Sequence, residues 1–196
     1  MNRARVGVLI SGRGSNMTAL LDAARDPTYP AEIALVLSNN PDAPGLETAR
    51  AAGVEALAID HRLFSGDREA HERALDFALH ERAIELLALA GYMRVLTPLL
   101  VNAWAGRMLN IHPSLLPLYP GLHTHRRALE AGDAEAGCTV HLVTEGVDEG
   151  PVLAQARVPV LPCDTEESLA ARVLAAEHEL YPAALAEFVS RRSGRR

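Results

Sequence analysis

The chain has 196 residues, of which 48% are hydrophobic, so it can build one apolar core but is too short for two ordinary domains. Its net charge of -6 comes without basic blocks, which excludes the extended basic face that nucleic-acid binding requires. All 19 basic residues are arginines, which excludes P-loop lysines, Schiff-base lysines and lysine general bases.

Five short apolar runs alternate with helix-length segments, a rhythm typical of successive βαβ units and of a mostly parallel sheet. The predicted strands are residues 6–11, 33–38, 54–59, 84–90 and 108–111. Helices are predicted over residues 17–25, 45–52 and 67–82, where apolar residues recur at three- and four-residue spacing. The fourth run is apolar almost throughout, so we expect it near the sheet centre with helices on both faces.

The pattern changes after residue 136. Apolar runs at 138–143 and 152–160 flank the turn-prone stretch 145–151, which predicts a strand pair joined by a loop. Thr165 starts another helix that runs towards Pro182. The prediction is an α/β fold, a single three-layer αβα domain over residues 1–196. It has a mostly parallel twisted sheet, a C-terminal antiparallel strand pair, a core at about 5–189 and a frayed end over 190–196.

The stretch Ser-Gly-Arg-Gly-Ser-Asn at residues 11–16 lies where the first strand passes into the first helix. Bare backbone N–H groups at the positive end of a helix dipole can bind a phosphate without any lysine, although a simple tight turn needs no ligand. A dinucleotide site would have glycine in place of Met17 and an acidic residue in place of Ser38, Asn39 or Asn40. The turn therefore favours a small phosphorylated substrate over a nicotinamide cofactor.

Asn110 and His112 end the fifth predicted strand, two residues apart, so their side chains project in the same direction. Gly14 and His112 both follow parallel strands, and ligands bind outside the carboxyl ends of such strands. Asp148, in the later loop, could extend to the same crevice, where its carboxylate would raise the pKa of His112 and keep the ring charged. The alternatives are a loop histidine before a proline and a turn-forming aspartate.

Other chemistry finds less support in the sequence. His123 and His125 alternate as metal ligands can, but cysteines and carboxylates are missing at ligand spacing, so we predict no metal site. Cys138 and Cys163 form no CxxC pair, which indicates a reducing cytoplasm rather than a disulfide framework. The apolar run at residues 6–10 is too short for a signal peptide or a membrane span.

Taken together, these motifs resemble those of the phosphoribosylglycinamide formyltransferase family, the folate-dependent enzymes of purine biosynthesis. The resemblance extends from residue 6 to about residue 182. Its motifs occur in the same order as in that family, at residues 11–16, 89–94, 110–117, 119–125 and 148–151.

The resemblance implies a formyltransferase-like fold and transfer of the formyl group of 10-formyltetrahydrofolate to the amine of phosphoribosylglycinamide, without a metal. By position, Asn110, His112 and Asp148 match the catalytic residues. The substrate phosphate would bind at Gly14, Ser15 and Asn16, and the glycinamide end would meet Glu177. The folate-site residues implied are Arg68, Met93, Arg94, Val95, Leu96, Asn110, Glu145, Gly146, Val147 and Asp148. In this chemistry Asn110 and a protonated His112 would donate to the oxyanion that forms.

Three alternatives remain in view. Methionyl-tRNA formyltransferase and formyltetrahydrofolate hydrolase share the chemistry, but as a family expectation each adds a domain for which this chain has no room. A non-catalytic nucleotide- or folate-binding module would not need Asn110, His112 and Asp148 together. We expect small-molecule substrates, no nucleic acid or membrane partner, and either a monomer or a homodimer.

Overall fold

A computed structural model describes residues 3–193. Its seven strands are β1 (Ala4–Ile10), β2 (Ala31–Ser38), β3 (Glu55–Ala58), β4 (Leu86–Leu89), β5 (Met108–His112), β6 (Glu135–Leu142) and β7 (Val152–Pro159). Its six α-helices are α1 (Ser15–Ala23), α2 (Pro44–Ala51), α3 (Arg68–Glu81), α4 (Pro98–Ala103), α5 (Thr124–Ala131) and α6 (Glu166–Ser193), and a short 3-10 helix covers His61–Phe64.

The strands form one sheet in the order β3-β2-β1-β4-β5-β6-β7. Strands β1 to β5 pair in parallel, whereas β6 is antiparallel to β5, and β7 is antiparallel to β6. All four residues of β4 are buried at the middle of the sheet, as the apolar run predicted. The carboxyl ends of β1, β4 and β5 therefore lie side by side at one edge.

Helices cover both faces of this sheet and complete the three layers. On one face, residues of α1, α2 and α6, including Met17, Leu46 and Tyr181, pack against the sheet. On the other face, α3 and α4 contribute Leu75 and Leu100, and Trp104 follows α4. Each such buried large side chain stabilises the fold by roughly 1.5–3 kcal/mol. The predicted α/β architecture with its C-terminal antiparallel pair is confirmed.

Helix α6 differs from the prediction because it continues through Pro182 to Ser193. A proline inside a helix costs about 3 kcal/mol, since it removes one backbone hydrogen bond and crowds the preceding turn. Here Tyr181, Leu185 and Val189 recur at four-residue spacing and are buried, which offsets that cost. Residues 190–193 are thus helical, and the rest of the predicted frayed end, 194–196, lies outside the described residues.

Two short helices beside the crevice were not predicted. Helix α4 begins with Pro98, and the Thr97 hydroxyl caps it by accepting a hydrogen bond from Leu99 N at 3.3 Å. Helix α5 begins after His123, whose φ of 58° is left-handed. Within residues 3–193, no helix combines the length and apolar character needed to cross a bilayer.

Candidate active site

The end of β5 carries Asn110 and His112, and the antiparallel strand β6 brings two polar residues beside them. In the strand register, His141 pairs with Asn110 and Thr139 pairs with His112. Asn110 Nδ2 lies 3.2 Å from His141 Nε2. Asn110 therefore contacts a histidine that was not predicted as part of the site.

Asp148 lies in the loop between β6 and β7 and faces both histidines. Its Oδ2 lies 3.3 Å from His112 Nδ1, and its Oδ1 lies 3.6 Å from His141 Nε2. The backbone N–H of Gly121 donates to Oδ2 at 2.8 Å. The three residues predicted as catalytic thus lie in one cluster, and their roles remain a prediction.

His112 is buried and makes a directional contact through its second nitrogen. Its Nε2 lies 3.0 Å from the carbonyl oxygen of Tyr119. Because a carbonyl oxygen only accepts, this hydrogen bond requires the proton on Nε2. In the neutral ring, the Nδ1 lone pair therefore faces Asp148.

The pKa of His112 differs from the expectation. Burial lowers the pKa of His112 below its ordinary value, and the Tyr119 carbonyl and Asp148 oppose this shift without reversing it. The surroundings of His112 therefore favour the neutral ring in the free protein. Asp148 raises the pKa as expected, but burial outweighs it, in contrast to the expected charged ring. Burial alone would raise the pKa of Asp148, but the His141 ring, the Gly121 N–H and His112 together hold it below its usual range, so this carboxylate is ionised.

The glycine turn precedes α1 at the carboxyl end of β1. Gly14 has a left-handed φ of 68°, which favours glycine, and it occupies the N-cap position. Among residues 3–193, no side chain caps this helix end. The backbone N–H groups of its first turn therefore remain available to an anion.

A buried polar pair lies directly behind this turn. Asn16 Nδ2 donates to Glu177 Oε2 at 2.8 Å, and both residues are buried. Burial raises the pKa of Glu177 to about 7, and the hydrogen bond from Asn16 offsets part of the shift. Asn16 Oδ1 is also buried and has no hydrogen-bond partner in the described part of the chain. Two predicted acceptor-site residues are thus in contact, with hydrogen-bonding capacity left over.

The segment after β4 contacts the glycine turn. Ser11 N donates to Gly91 O at 3.1 Å, and Met93 N donates to Ser11 Oγ at 2.8 Å. Met93 is 73% exposed and Val95 is 59% exposed, which is unusual for large apolar side chains. This predicted folate segment therefore presents apolar surface next to the predicted phosphate turn.

Two further predicted folate residues, Arg94 and Leu96, belong to the same segment, whereas Arg68 is the first residue of α3. Helix α3 carries His71 one turn after Arg68. Burial lowers the pKa of His71, and the positive charge of the nearby Arg94 lowers it further. Leu96, further along the segment, packs against the core on the α3 and α4 face.

The loop that carries Asp148 is shaped by glycine. A Cβ at Gly150 would lie 1.7 Å from Leu142 O, and a Cβ at Gly146 would lie 2.3 Å from the Glu149 carboxylate. Glu145 accepts a hydrogen bond from Asn102 Nδ2 at 3.0 Å, while Val147 is exposed. The loop thus brings Asp148 to the His112 cluster and attaches Glu145 to α4.

In the part of the chain that the structure describes, no group of three histidine, cysteine, aspartate or glutamate side chains could hold a metal ion.

Comparisons with known proteins agree on one family. A family model described as formyl transferase matches residues 4–185. Phosphoribosylglycinamide formyltransferase of Escherichia coli strain K12 is 48% identical over 185 residues, covering 94% of this chain and 87% of that protein. The trifunctional purine biosynthetic protein adenosine-3 of Drosophila melanogaster is 51% identical over 190 residues, but this chain spans only 14% of its length. The crystal structure of phosphoribosylglycinamide formyltransferase from Brucella melitensis has a TM-score of 0.92 at 56% identity and covers 96% of each chain.

Proposed function

The chain belongs to the formyl transferase family, and we propose that it transfers the formyl group of 10-formyltetrahydrofolate to the amine of phosphoribosylglycinamide in purine biosynthesis. The products are N-formylglycinamide ribonucleotide and tetrahydrofolate. The observation that carries this proposal is the contact of Asn110, His112 and Asp148 through His141 and one another, at the carboxyl edge of the sheet.

The acceptor binds at the glycine turn in this proposal. The substrate phosphate accepts hydrogen bonds from the backbone at Gly14, Ser15 and Asn16, where α1 lacks a side-chain cap in the described structure. The glycinamide end meets Glu177, whose carboxyl is shared between its neutral and charged forms near pH 7 and can accept from an amine or amide.

The folate binds on the other side of the cluster. The exposed apolar surface of Met93 and Val95 gives a ring system a surface on which to pack. The side chains of Arg68 and Arg94 supply positive charge suited to the carboxylates of a folate. The loop from Glu145 to Gly150 borders the pterin and brings Asp148 to it.

The reaction begins when the neutral amine of the acceptor attacks the formyl carbon. A new N–C bond forms, and the electron pair of the formyl C=O moves to its oxygen. Asn110 Nδ2 carries two hydrogens, of which the His141 contact uses one, so the other can donate to this oxyanion. A donor placed in this way is commonly worth about 3 kcal/mol in the transition state.

The second step moves one proton. The attacking nitrogen loses a proton to His112 Nδ1, directly or through a water, and the ionised Asp148 stabilises the imidazolium. When the bond from the formyl carbon to N10 of the folate breaks, its electrons go to N10, which takes the proton. His112 returns to its neutral state, so a ring that starts neutral suits this step better than the charged donor expected from the sequence.

The proposal extends to the setting of the enzyme. We propose that its substrates are small molecules, without a nucleic acid or membrane partner, and that it works in the cytoplasm as a monomer or homodimer. Cys138 and Cys163 are both free thiols, which fits a reducing compartment.

A formyl-transfer assay with 10-formyltetrahydrofolate tests the function. One arm contains phosphoribosylglycinamide, a second contains only water as acceptor, and a third contains glycinamide riboside without phosphate. We expect turnover in the first arm and a greatly raised KM in the third. Equal release of tetrahydrofolate with and without the acceptor would instead identify a hydrolase.

A further inference from the structure

The backbone carbonyl that contacts His112 belongs to a residue with no assigned role. Tyr119 has a left-handed φ of 55°, which costs a residue with a side chain roughly 1 kcal/mol or more and persists only where the surroundings hold it. Its carbonyl accepts from His112 Nε2 at 3.0 Å and from Ser114 Oγ at 3.3 Å. The orientation of this one peptide group therefore matters for the His112 ring.

The Tyr119 side chain is anchored on the opposite side of the loop. Its hydroxyl donates to Asp133 Oδ2 at 2.6 Å, in the turn after α5. The Arg127 guanidinium lies 5.1 Å from the centre of the tyrosine ring and donates to Pro120 O at 2.6 Å. These contacts, made by α5 and the turn that follows it, fix the loop segment that faces the reaction centre.

The same short segment also fixes the second partner of His112. Gly121 N donates to Asp148 Oδ2, the oxygen that lies 3.3 Å from His112 Nδ1. Residues 119 and 121 thus set the acceptor at one nitrogen of the ring and hold the carboxylate at the other.

We propose that Tyr119 is a positioning residue for His112 and that it acts through its hydrogen bond to Asp133. The anchored side chain holds the Tyr119 carbonyl against Nε2, keeps the ring proton there and leaves the Nδ1 lone pair free beside Asp148. This inference rests on the proposed function, in which Nδ1 accepts the proton of the attacking amine.

Several other charged or titratable groups face His112 and influence its pKa. Asp148, from the β6–β7 loop, favours the charged ring, whereas His141 of β6 and Arg127 of α5 oppose it. His125, also on α5, interacts electrostatically with His112. Two of these contacts distinguish the ring nitrogens, because the Tyr119 carbonyl accepts at 3.0 Å from Nε2 whereas Asp148 Oδ2 lies 3.3 Å from Nδ1. The Tyr119 carbonyl is the contact that favours the proton on Nε2.

The variant Tyr119→Phe removes the anchoring hydroxyl and keeps the ring under Arg127. We expect kcat to fall about tenfold, with the KM of both substrates unchanged, since a displaced catalytic group costs rate more than binding. The acidic limb of the kcat/KM profile should move to lower pH, because the Tyr119 carbonyl raises the proton affinity of His112. In ¹⁵N spectra, His112 should change from the Nε2–H tautomer to a mixture of both.

Matched variants separate positioning from general loss of structure. Tyr29→Phe also removes one hydroxyl hydrogen bond, to Pro182 O at 2.7 Å, and should leave the His112 spectrum and the pH profile unchanged. Asp133→Ala should reproduce Tyr119→Phe without adding to it in the double variant, and Asp133→Asn, which still accepts from the hydroxyl, should restore the parent behaviour.

Unchanged His112 tautomer signals and an unchanged pH profile in Tyr119→Phe and Asp133→Ala would overturn the proposal, whatever the effect on kcat. Failure of the proposed function would look different, because the parent protein would then show no formyl transfer while the tautomer signals still tested the role of Tyr119.

Discussion

The carboxyl ends of β5 and β1 lie at the same edge of the sheet, separated only by β4, yet they are built in different ways. At the end of β5, polar side chains form hydrogen bonds with one another and with the backbone, as His112 Nε2 does with Tyr119 O. At β1, the turn exposes backbone N–H groups, and the buried Asn16 Oδ1 behind it lacks a partner in the described structure. The β5 end is organised before any ligand binds, whereas the β1 end keeps hydrogen-bonding capacity for one.

Because of this difference, we expect substitutions at the two strand ends to affect different kinetic constants. Changes at the β5 end remove groups that act in the transition state, so they should lower kcat. Changes at the β1 end remove contacts to the bound acceptor, so they should raise its KM.

The largest effect is expected for His112→Ala. Loss of the proton acceptor should lower kcat about a thousandfold, within the range typical of general acid–base groups, and leave the KM of the acceptor nearly unchanged. Steady-state formyl transfer measures both constants. His80→Ala, on the exposed side of α3, is the control, and a His112→Ala variant with near-parental kcat would exclude the proposed proton transfer.

Glu177→Gln tests the buried carboxyl behind the turn through stability. The pKa of Glu177 is raised from 4.5 to about 7, so its stabilising contribution is fully present below pH 4.5 and is lost as the pH rises through 7. Relative to the parent, the variant should therefore gain about 3 kcal/mol in unfolding free energy between pH 4.5 and pH 8. Urea unfolding at both pH values measures this gain, and Glu187→Gln on the exposed part of α6 should show none.

Asp148→Asn should lower kcat about a hundredfold, because it removes the charge that stabilises the His112 imidazolium and keeps the hydrogen bond from Gly121 N. The acidic limb of the pH profile should also move to lower pH. A variant whose kcat and profile match those of the parent would show that Asp148 only shapes the loop.

The smallest effect is expected for Gly14→Ala, which has a matched control in Gly53→Ala. Both glycines have a left-handed φ, 68° and 77°, so both alanine variants should lose about 1–2 kcal/mol of stability. Only Gly14→Ala should raise the KM of the phosphorylated acceptor, about fivefold. Equal KM values in the two variants would place the phosphate elsewhere.

The carboxyl ends of β1 and β5 also differ in how far the sequence could predict their structure. The glycine turn is a local motif, and the apolar run of β4 correctly indicated the sheet centre. The position of Asn110 and His112 at the end of β5 follows from strand order. Asp148 was assigned to the same crevice by the family resemblance, and its Oδ2 lies 3.3 Å from His112 Nδ1.

Other features of the site depend on tertiary contacts that leave no local pattern. His141 meets Asn110 only through the antiparallel register of β6 against β5, which no local motif specifies. The Tyr119 carbonyl is a backbone group, which every residue has, so the amino-acid sequence does not indicate its contact with His112. The neutral state of His112 follows from burial, which outweighs the neighbouring carboxylate and depends on how the loop folds over the ring.

The central measurement is an NMR titration of the His112 ring in the free protein, set beside the pH dependence of kcat/KM, which reports the ionisations of the free enzyme. We predict that His112 titrates below the ordinary value of 6.5 and that the acidic limb of kcat/KM has the same pKa. A His112 that titrates above 6.5, or an acidic limb that does not follow it, would contradict a neutral ring as the proton acceptor.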